Sequence, residues 1–202
     1  MHSLAYWFRR LFWTVSYKDR SGGIPVGTFL AFAEQKERHI PKVTAALDLL
    51  RRVEPHRYQR MLRNVRAIHL LGTRYYALGA WYAPLRMIDL AEDWVEDPNT
   101  SPEDIAATLV HEATHARLTQ FGYSEALRAR VERICHYQEA VFASRLGNGE
   151  QLVAAARRAM DRDGASYSSA TRRTDRLKAL RALGMPSWFV QLVDWLTHWR
   201  AA

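Results

Sequence analysis

The chain reads as a predominantly helical α+β fold with one small antiparallel or mixed sheet. Three observations carry that reading. Apolar residues recur three and four apart through most of the chain, the period of helices buried on one face. Only residues 65–90 combine β-branched and aromatic enrichment with period-two alternation. Residues 101–122 carry both start and stop signals of a helix and are followed at once by a second striped helix. A chain of 202 residues, 48% hydrophobic and 11% aromatic, has the material for one core. We take it as a single domain, with an N-terminal helical segment over 1–54, a core over 55–150 and a C-terminal helical segment over 151–202.

Each element follows in order. Leu4, Trp7, Phe8, Leu11 and Phe12 fall at helical spacing and predict a short amphipathic helix packed on the body of the domain or on a partner. Gly22, Gly23, Pro25 and Gly27 then break the chain. Residues 29–53 read as helix, divided near Pro41, with Val43, Ala46, Leu47 and Leu50 on the buried face. Pro55 ends it, and residues 57–62 continue as a short helix or turn. Residues 65–71 and 74–90 supply two or three short strands, with His69 as a core or edge histidine. Pro84 suits an edge strand or bulge, because it has no ladder donor. Glu92, Asp93, Glu96 and Asp97 mark an acidic loop.

The next helix starts at a Ser101 N-cap with Pro102 at its first position and Glu103 and Asp104 at the positive end of its dipole. It runs to about Gln120, and Gly122 suits its C-terminal cap. Residues 124–146 form a second long helix, broken by residues 147–150. Helices over 152–158 and 174–183 flank a polar loop at 161–169. A last amphipathic helix over 187–200 carries Trp188, Leu192, Trp195 and Trp199 in register, a stripe that reads as core packing.

Charge and cysteine count narrow the function classes. Twenty-nine Lys and Arg against 21 Asp and Glu leave a net charge of +8. That balance admits nucleic acid or an anionic membrane as partner. No compact basic block is present, so solvated helix faces are favoured over nucleic acid. No apolar run reaches the ~18 residues of a membrane-spanning helix, although the N-terminal helix could make peripheral membrane contact. That helix is not a secretory signal, because Arg9 and Arg10 interrupt its apolar stretch and no small-residue cleavage site follows. Cys135 is the only cysteine, which excludes an internal disulfide and suits a reducing compartment. The expected location is cytoplasmic.

The chemistry concentrates in HEATH, residues 111–115. On a helix His111 and His115 share one face, one turn apart, so their imidazoles converge. Such a pair suits tetrahedral Zn2+, which accepts neutral histidine nitrogen. Glu112, about 100° round the helix, reaches a metal-held water without ligating the metal. Ile105, Leu109 and Val110 bury the helix, and buried histidines need partners.

A catalytic zinc needs a third protein ligand. Glu132, His136 and Glu139 share one face of the following helix. Folding the two helices back through Gly122 puts Glu132 level with the histidine pair. Glu139 then lies roughly 10 Å farther along, as an alternative ligand or as acceptor for a ligand histidine. His136 is the third alternative.

HEATH on a buried helix with a glutamate on the next resembles the gluzincin metallopeptidases, zincin-like HExxH-plus-glutamate enzymes, in a minimal form. The resemblance covers about residues 75–146 and includes an edge strand over 81–90, which in zincins holds the substrate backbone extended. It implies a zinc-dependent hydrolase of peptide bonds, acting on a peptide or protein substrate. His111, His115 and Glu132 would be its ligands. Glu112 would be the general base, taking a proton from the water and passing it to the leaving amine. Oxyanion donors could come from His136, Tyr137, Tyr167 or His69. The metzincin spacing of Gly and His after His115 is absent. Two other readings compete: a non-catalytic zincin-like binding module using the aromatic terminal helices, and a nucleic-acid-associated HExxH protease. An intact Glu112 argues against the first, since a scaffold needs no base. The second usually has a third histidine ligand, for which His136 is the available residue.

Overall fold

The computed structural model describes residues 4–28, 33–71, 77–119, 124–182 and 184–198. Helix α1 (Leu4–Val15) leads into a hairpin of β1 (Tyr17–Ser21) and β2 (Ile24–Thr28). Gly22 and Gly23 make the two-residue turn with φ of 56° and 90°, values a side chain resists. Residues 21–27 are therefore a hairpin and not a mere break, and the segment 1–54 gives two strands to the sheet. The strand signal is weak because β1 is YKDRS, polar throughout. Pro25 is tolerated here for a geometric reason. In a two-residue hairpin the pair closing the turn is hydrogen-bonded and the next is not. Pro25 opposes Arg20 in that next pair and precedes Val26, where pairing with the neighbouring strand begins.

Helix α2 (Ala33–Val53) runs unbroken through Pro41, and α3 (Pro55–Asn64) starts at the proline expected to end its predecessor. Residues 29–32, where the helix was expected to begin, lie outside the described residues. Val43, Ala46, Leu47 and Leu50 are fully buried and anchor α2 along the face it was expected to use. Burying that face outweighs the one backbone bond that Pro41 removes.

Strands β3 (Ala67–Leu70), β4 (Gly79–Tyr82) and β5 (Met87–Leu90) complete a mixed sheet of order β1-β2-β3-β5-β4. β3 runs parallel to both neighbours, whereas the outer pairs are antiparallel. The expected edge strand over 81–90 divides into β4, a single turn of 3-10 helix at Ala83–Leu85, and β5. Pro84 lies in that turn and not in a strand or bulge, where its missing donor costs no ladder bond. Arg86 follows in the left-handed region at φ 54°, held by bonds from its guanidinium to the Asn64 and Arg63 carbonyls.

All four residues of β5 are buried, so alternation there separates two covered faces and not core from solvent. Ile68, Leu70, Ile88 and Leu90 join the main core. His69 and Asp89, paired in register, meet α1. Arg9 binds Asp89 at 2.7 Å, Ser16 Oγ lies 2.9 Å from His69 Nε2, and Trp13 stands edge-on to the His69 ring. Burial lowers the His69 pKa to about 4, against the charge of Glu92 and with help from Arg9 and Lys18, so the ring is neutral at pH 7. His69 is thus a core histidine on a central strand.

Short helix α4 (Glu92–Glu96) replaces the expected acidic loop. Then come α5 (Pro102–Leu118), α6 (Arg128–Ala143), α7 (Glu150–Met160), α8 (Ser169–Ala182) and α9 (Ser187–His198). α6 is shorter than expected, because residues 125–127 form a 3-10 turn before it. The expected cap at Gly122, and the turn at 121–123, lie outside the described residues. Two terminal features differ from expectation. On α9, Trp188 and Trp195 are 65% and 57% exposed, so this stripe is not core; Trp199 lies outside the described residues. On α1, Trp7, Leu11 and Val15 face solvent while the opposite side packs on the sheet. No described helix is long and apolar enough to cross a membrane.

Candidate metal centre

A capping box sets where α5 begins. The Ser101 hydroxyl accepts from the Asp104 N–H, and the Asp104 carboxylate accepts from the Ser101 N–H at 2.8 Å. Ile105, Leu109 and Val110 then turn fully into the core. The opposite face carries Thr108, His111, Glu112 and His115 into a cleft. Glu112 and His115 are themselves only 6% and 7% exposed, so the polar face is sheltered from bulk water.

The second helix supplies what faces them. Glu132 Oε2 lies 3.5 Å from His111 Nε2 and 3.4 Å from His115 Nε2. Glu139 Oε2 lies 3.3 Å from His111 Nδ1 and 3.0 Å from His136 Nδ1. His115 therefore meets Glu132 while His111 reaches Glu139, as antiparallel helices require. The expected 10 Å offset of Glu139 is closed by the length of its side chain and by His111 lying one turn nearer to it.

These distances test whether a metal fits. Zinc bonds to nitrogen and carboxylate oxygen are about 2.0–2.2 Å, which puts neighbouring ligand atoms of a tetrahedron roughly 3.3–3.5 Å apart. The carboxylate-to-imidazole spacings of 3.4 and 3.5 Å match that edge. Two imidazoles and one carboxylate are also a donor set that zinc accepts. Glu139, bound to the far nitrogen of His111, can fix that ring's tautomer and aim its Nε2.

His136 and Cys135 lie close to these residues, and among the described residues two groups of three could each hold a metal ion. His111 with His115 and Cys135, and His111 with Glu132 and His136, each bring their ligand atoms within 4.8 Å. Cys135 has no place in the sequence-based ligand set. Its position, three residues after Glu132 and one before His136, puts it on the same helix face and could have flagged it. Burial, with the charges of Glu112, Glu132 and Glu139, pushes its thiol pKa up, and a neutral thiol is a poor ligand. Glu132 is the better third donor.

The electrostatics are those of ion pairs held out of water. Burial acts against the charge on His111, but the hydrogen bonds it donates to Glu132 and Glu139 and the charge of Glu112 outweigh burial and hold its pKa at about 10. Burial raises Glu132, and bonds to His111 and His115 pull it down further than burial raises it. Glu139 is lowered in the same balance by His111 and His136.

The cleft measures about 610 Å³. Packing runs from β4 to α5, then α6, then the 3-10 turn Gly164–Tyr167 and α8, so the metal face lies between two walls. β4 is one wall. It is the edge of the sheet, and no described strand pairs with its outer side. Gly79 opens this strand against the general-base candidate. A Cβ there would lie 2.7 Å from Thr108 Cγ2 and 3.0 Å from Glu112 Cγ. If the chain is the zinc peptidase proposed below, Gly79→Ala should displace Glu112 and lower peptide hydrolysis about tenfold or more while zinc content stays at the wild-type level. Metal analysis beside a peptide assay checks this, and equal turnover in the two proteins would refute it.

The other wall comes from the C-terminal segment, through Arg162, Ser166, Tyr167 and Arg172. Of the four oxyanion candidates, His136 and Tyr167 line the cleft. The Tyr167 hydroxyl already donates to the Ala159 carbonyl. Tyr137 is 56% exposed and lies outside the cleft lining, and His69 is buried under α1. His136 is the candidate left beside the metal face. No family model, curated protein or solved structure matches this chain.

Proposed function

We propose that this chain is a zinc-dependent metallopeptidase with His111, His115 and Glu132 as ligands and Glu112 as general base. It would be a minimal zincin-like domain of the gluzincin kind. The observation that carries the reading is the convergence of two imidazole Nε2 atoms on one carboxylate oxygen at 3.4 and 3.5 Å. When bound, zinc supplies Lewis acidity that polarises a carbonyl and acidifies a water. The chain's own residues do the rest. Glu112, 6% exposed in the cleft wall, accepts a proton from the attacking water and returns it to the leaving amine. Glu139 keeps His111 oriented through its Nδ1. β4 offers backbone donors and acceptors to an extended peptide laid along its outer side.

The exposed tryptophans of α9 favour a second reading, a binding module without activity. The buried acid beside the ligand pair favours the peptidase, since a module has no use for a sheltered base. Purified protein should carry about one zinc per chain and cleave an unfolded protein substrate. A chelator should abolish the cleavage and added zinc restore it. Protein that takes up no zinc would overturn the proposal, and zinc-loaded protein without hydrolysis would favour the binding module.

A further inference from the structure

Helix α1 keeps an apolar line in solvent because the contacts on its inner side fix its roll. Arg9 binds Asp89 at 2.7 Å, and Ser16 Oγ lies 2.9 Å from His69 Nε2. Trp13 sits against Gly27, where a Cβ would lie 2.5 Å from its ring. Along the other face Trp7, Leu11 and Val15 fall four apart, each more than half exposed, in a line about 12 Å long. Burying that line would need the helix to roll. Rolling would part Arg9 from an aspartate that is itself buried, and would lift Trp13 off its glycine. Breaking a buried pair leaves an uncompensated charge, so the apolar line is held outward.

The surroundings of the line are basic. Arg10 flanks it by helical spacing, with its guanidinium 5.6 Å from the centroid of the Trp7 ring. Lys18 stands at its far end, with Nζ donating to the Thr14 and Ser16 carbonyls. α1 carries no acid, and the one acid of β1, Asp19, accepts from the Arg20 N–H. A two-fold contact with a second copy would therefore set like charges together. Three side chains also fall well short of the about 800 Å² that each partner gives to a stable protein interface. A lipid surface asks for less: an apolar face sunk about 5–10 Å, tryptophan at headgroup level and cations among anionic phosphates. We propose that the outer face of α1 docks this chain peripherally on an anionic lipid surface. Trp7, Leu11 and Val15 enter the acyl boundary, and Arg10 and Lys18 meet the headgroup phosphates.

Sedimentation with vesicles tests this. The purified chain is mixed with phosphatidylcholine vesicles made with or without phosphatidylserine. It should bind the mixed vesicles far more tightly than the neutral ones, and added salt should weaken the binding. Trp7→Ser with Leu11→Ser, at unchanged charge, should lower the affinity about tenfold or more. Arg10→Gln with Lys18→Gln should lower it about fivefold per cation. All four side chains face solvent, so both variants should melt close to the wild type. Val15→Ser repeats the test at the other end of the line. Wild-type protein that stays off the mixed vesicles overturns the proposal. So does binding that survives all three serine substitutions undiminished, since the net charge of +8 would then act alone. A dimer that the same substitutions dissociate, without vesicle binding, would give the line to a second copy and overturn it too. None of these readouts uses zinc or hydrolysis, so the peptidase reading stands or falls apart from them.

Discussion

Glu112→Gln should keep about one zinc per chain and lose peptide hydrolysis by 10²–10⁴-fold, the typical contribution of a positioned general base. The exchange keeps the shape of the side chain, so its packing against Gly79 and Thr108 survives. What it removes is a proton acceptor. Glu112 forms no ion pair with either histidine, so the proposed ligand atoms stay in place when its charge is removed. Zinc content by elemental analysis, beside hydrolysis of an unfolded protein, reads both halves of the result. A variant that still cleaves at the wild-type rate would remove Glu112 from the mechanism. One that loses both zinc and activity would make it a ligand.

The second large effect separates the two buried glutamates. Glu132→Ala should abolish stable zinc binding, because it deletes the oxygen on which both Nε2 atoms converge. Glu139→Ala should bind zinc about 10–100-fold more weakly, the usual cost of losing an outer hydrogen-bond partner. His111 Nδ1 would then lose its acceptor, but the three-donor face would stay intact. Competition against a chromogenic chelator gives both affinities. The opposite order, with zinc lost in Glu139→Ala and kept in Glu132→Ala, would exchange the two roles.

The parts of the site legible in the sequence are those set by helix periodicity. Ser101, His111, Glu112 and His115 follow from local capping and one turn of helix. Glu132, His136 and Glu139 follow from folding one helix back on another. The parts that could not be read depend on contacts far apart in the chain. Cys135 shares the face of Glu132 but looks inert without a partner helix to face. Gly79 is one more residue of the expected strand region until β4 is laid against α5. Arg162 lies in the expected polar loop and Arg172 just before the expected helix over 174–183, and only packing through the Gly164–Tyr167 turn against α6 brings them to the cleft. The β1–β2 hairpin stayed hidden because its first strand is polar and its twin glycines resemble any linker. The α9 stripe misled for the opposite reason: helical spacing shows that apolar residues share a face, but not whether anything covers it.

The side of β4 on which no described strand pairs has a consequence for which molecules the proposed peptidase could take into the cleft. The strand is four residues long and ends in a proline-bearing turn. It therefore offers a backbone ledge of about 13 Å. Pairing along such a ledge requires a segment whose own N–H and C=O groups are free. A helix has spent these groups internally, and a strand inside a sheet has spent them on its neighbours. The ledge would thus sort proteins by the state of their chain before it sorts them by sequence, admitting frayed termini, slack loops and unfolded stretches while passing over well-folded surfaces.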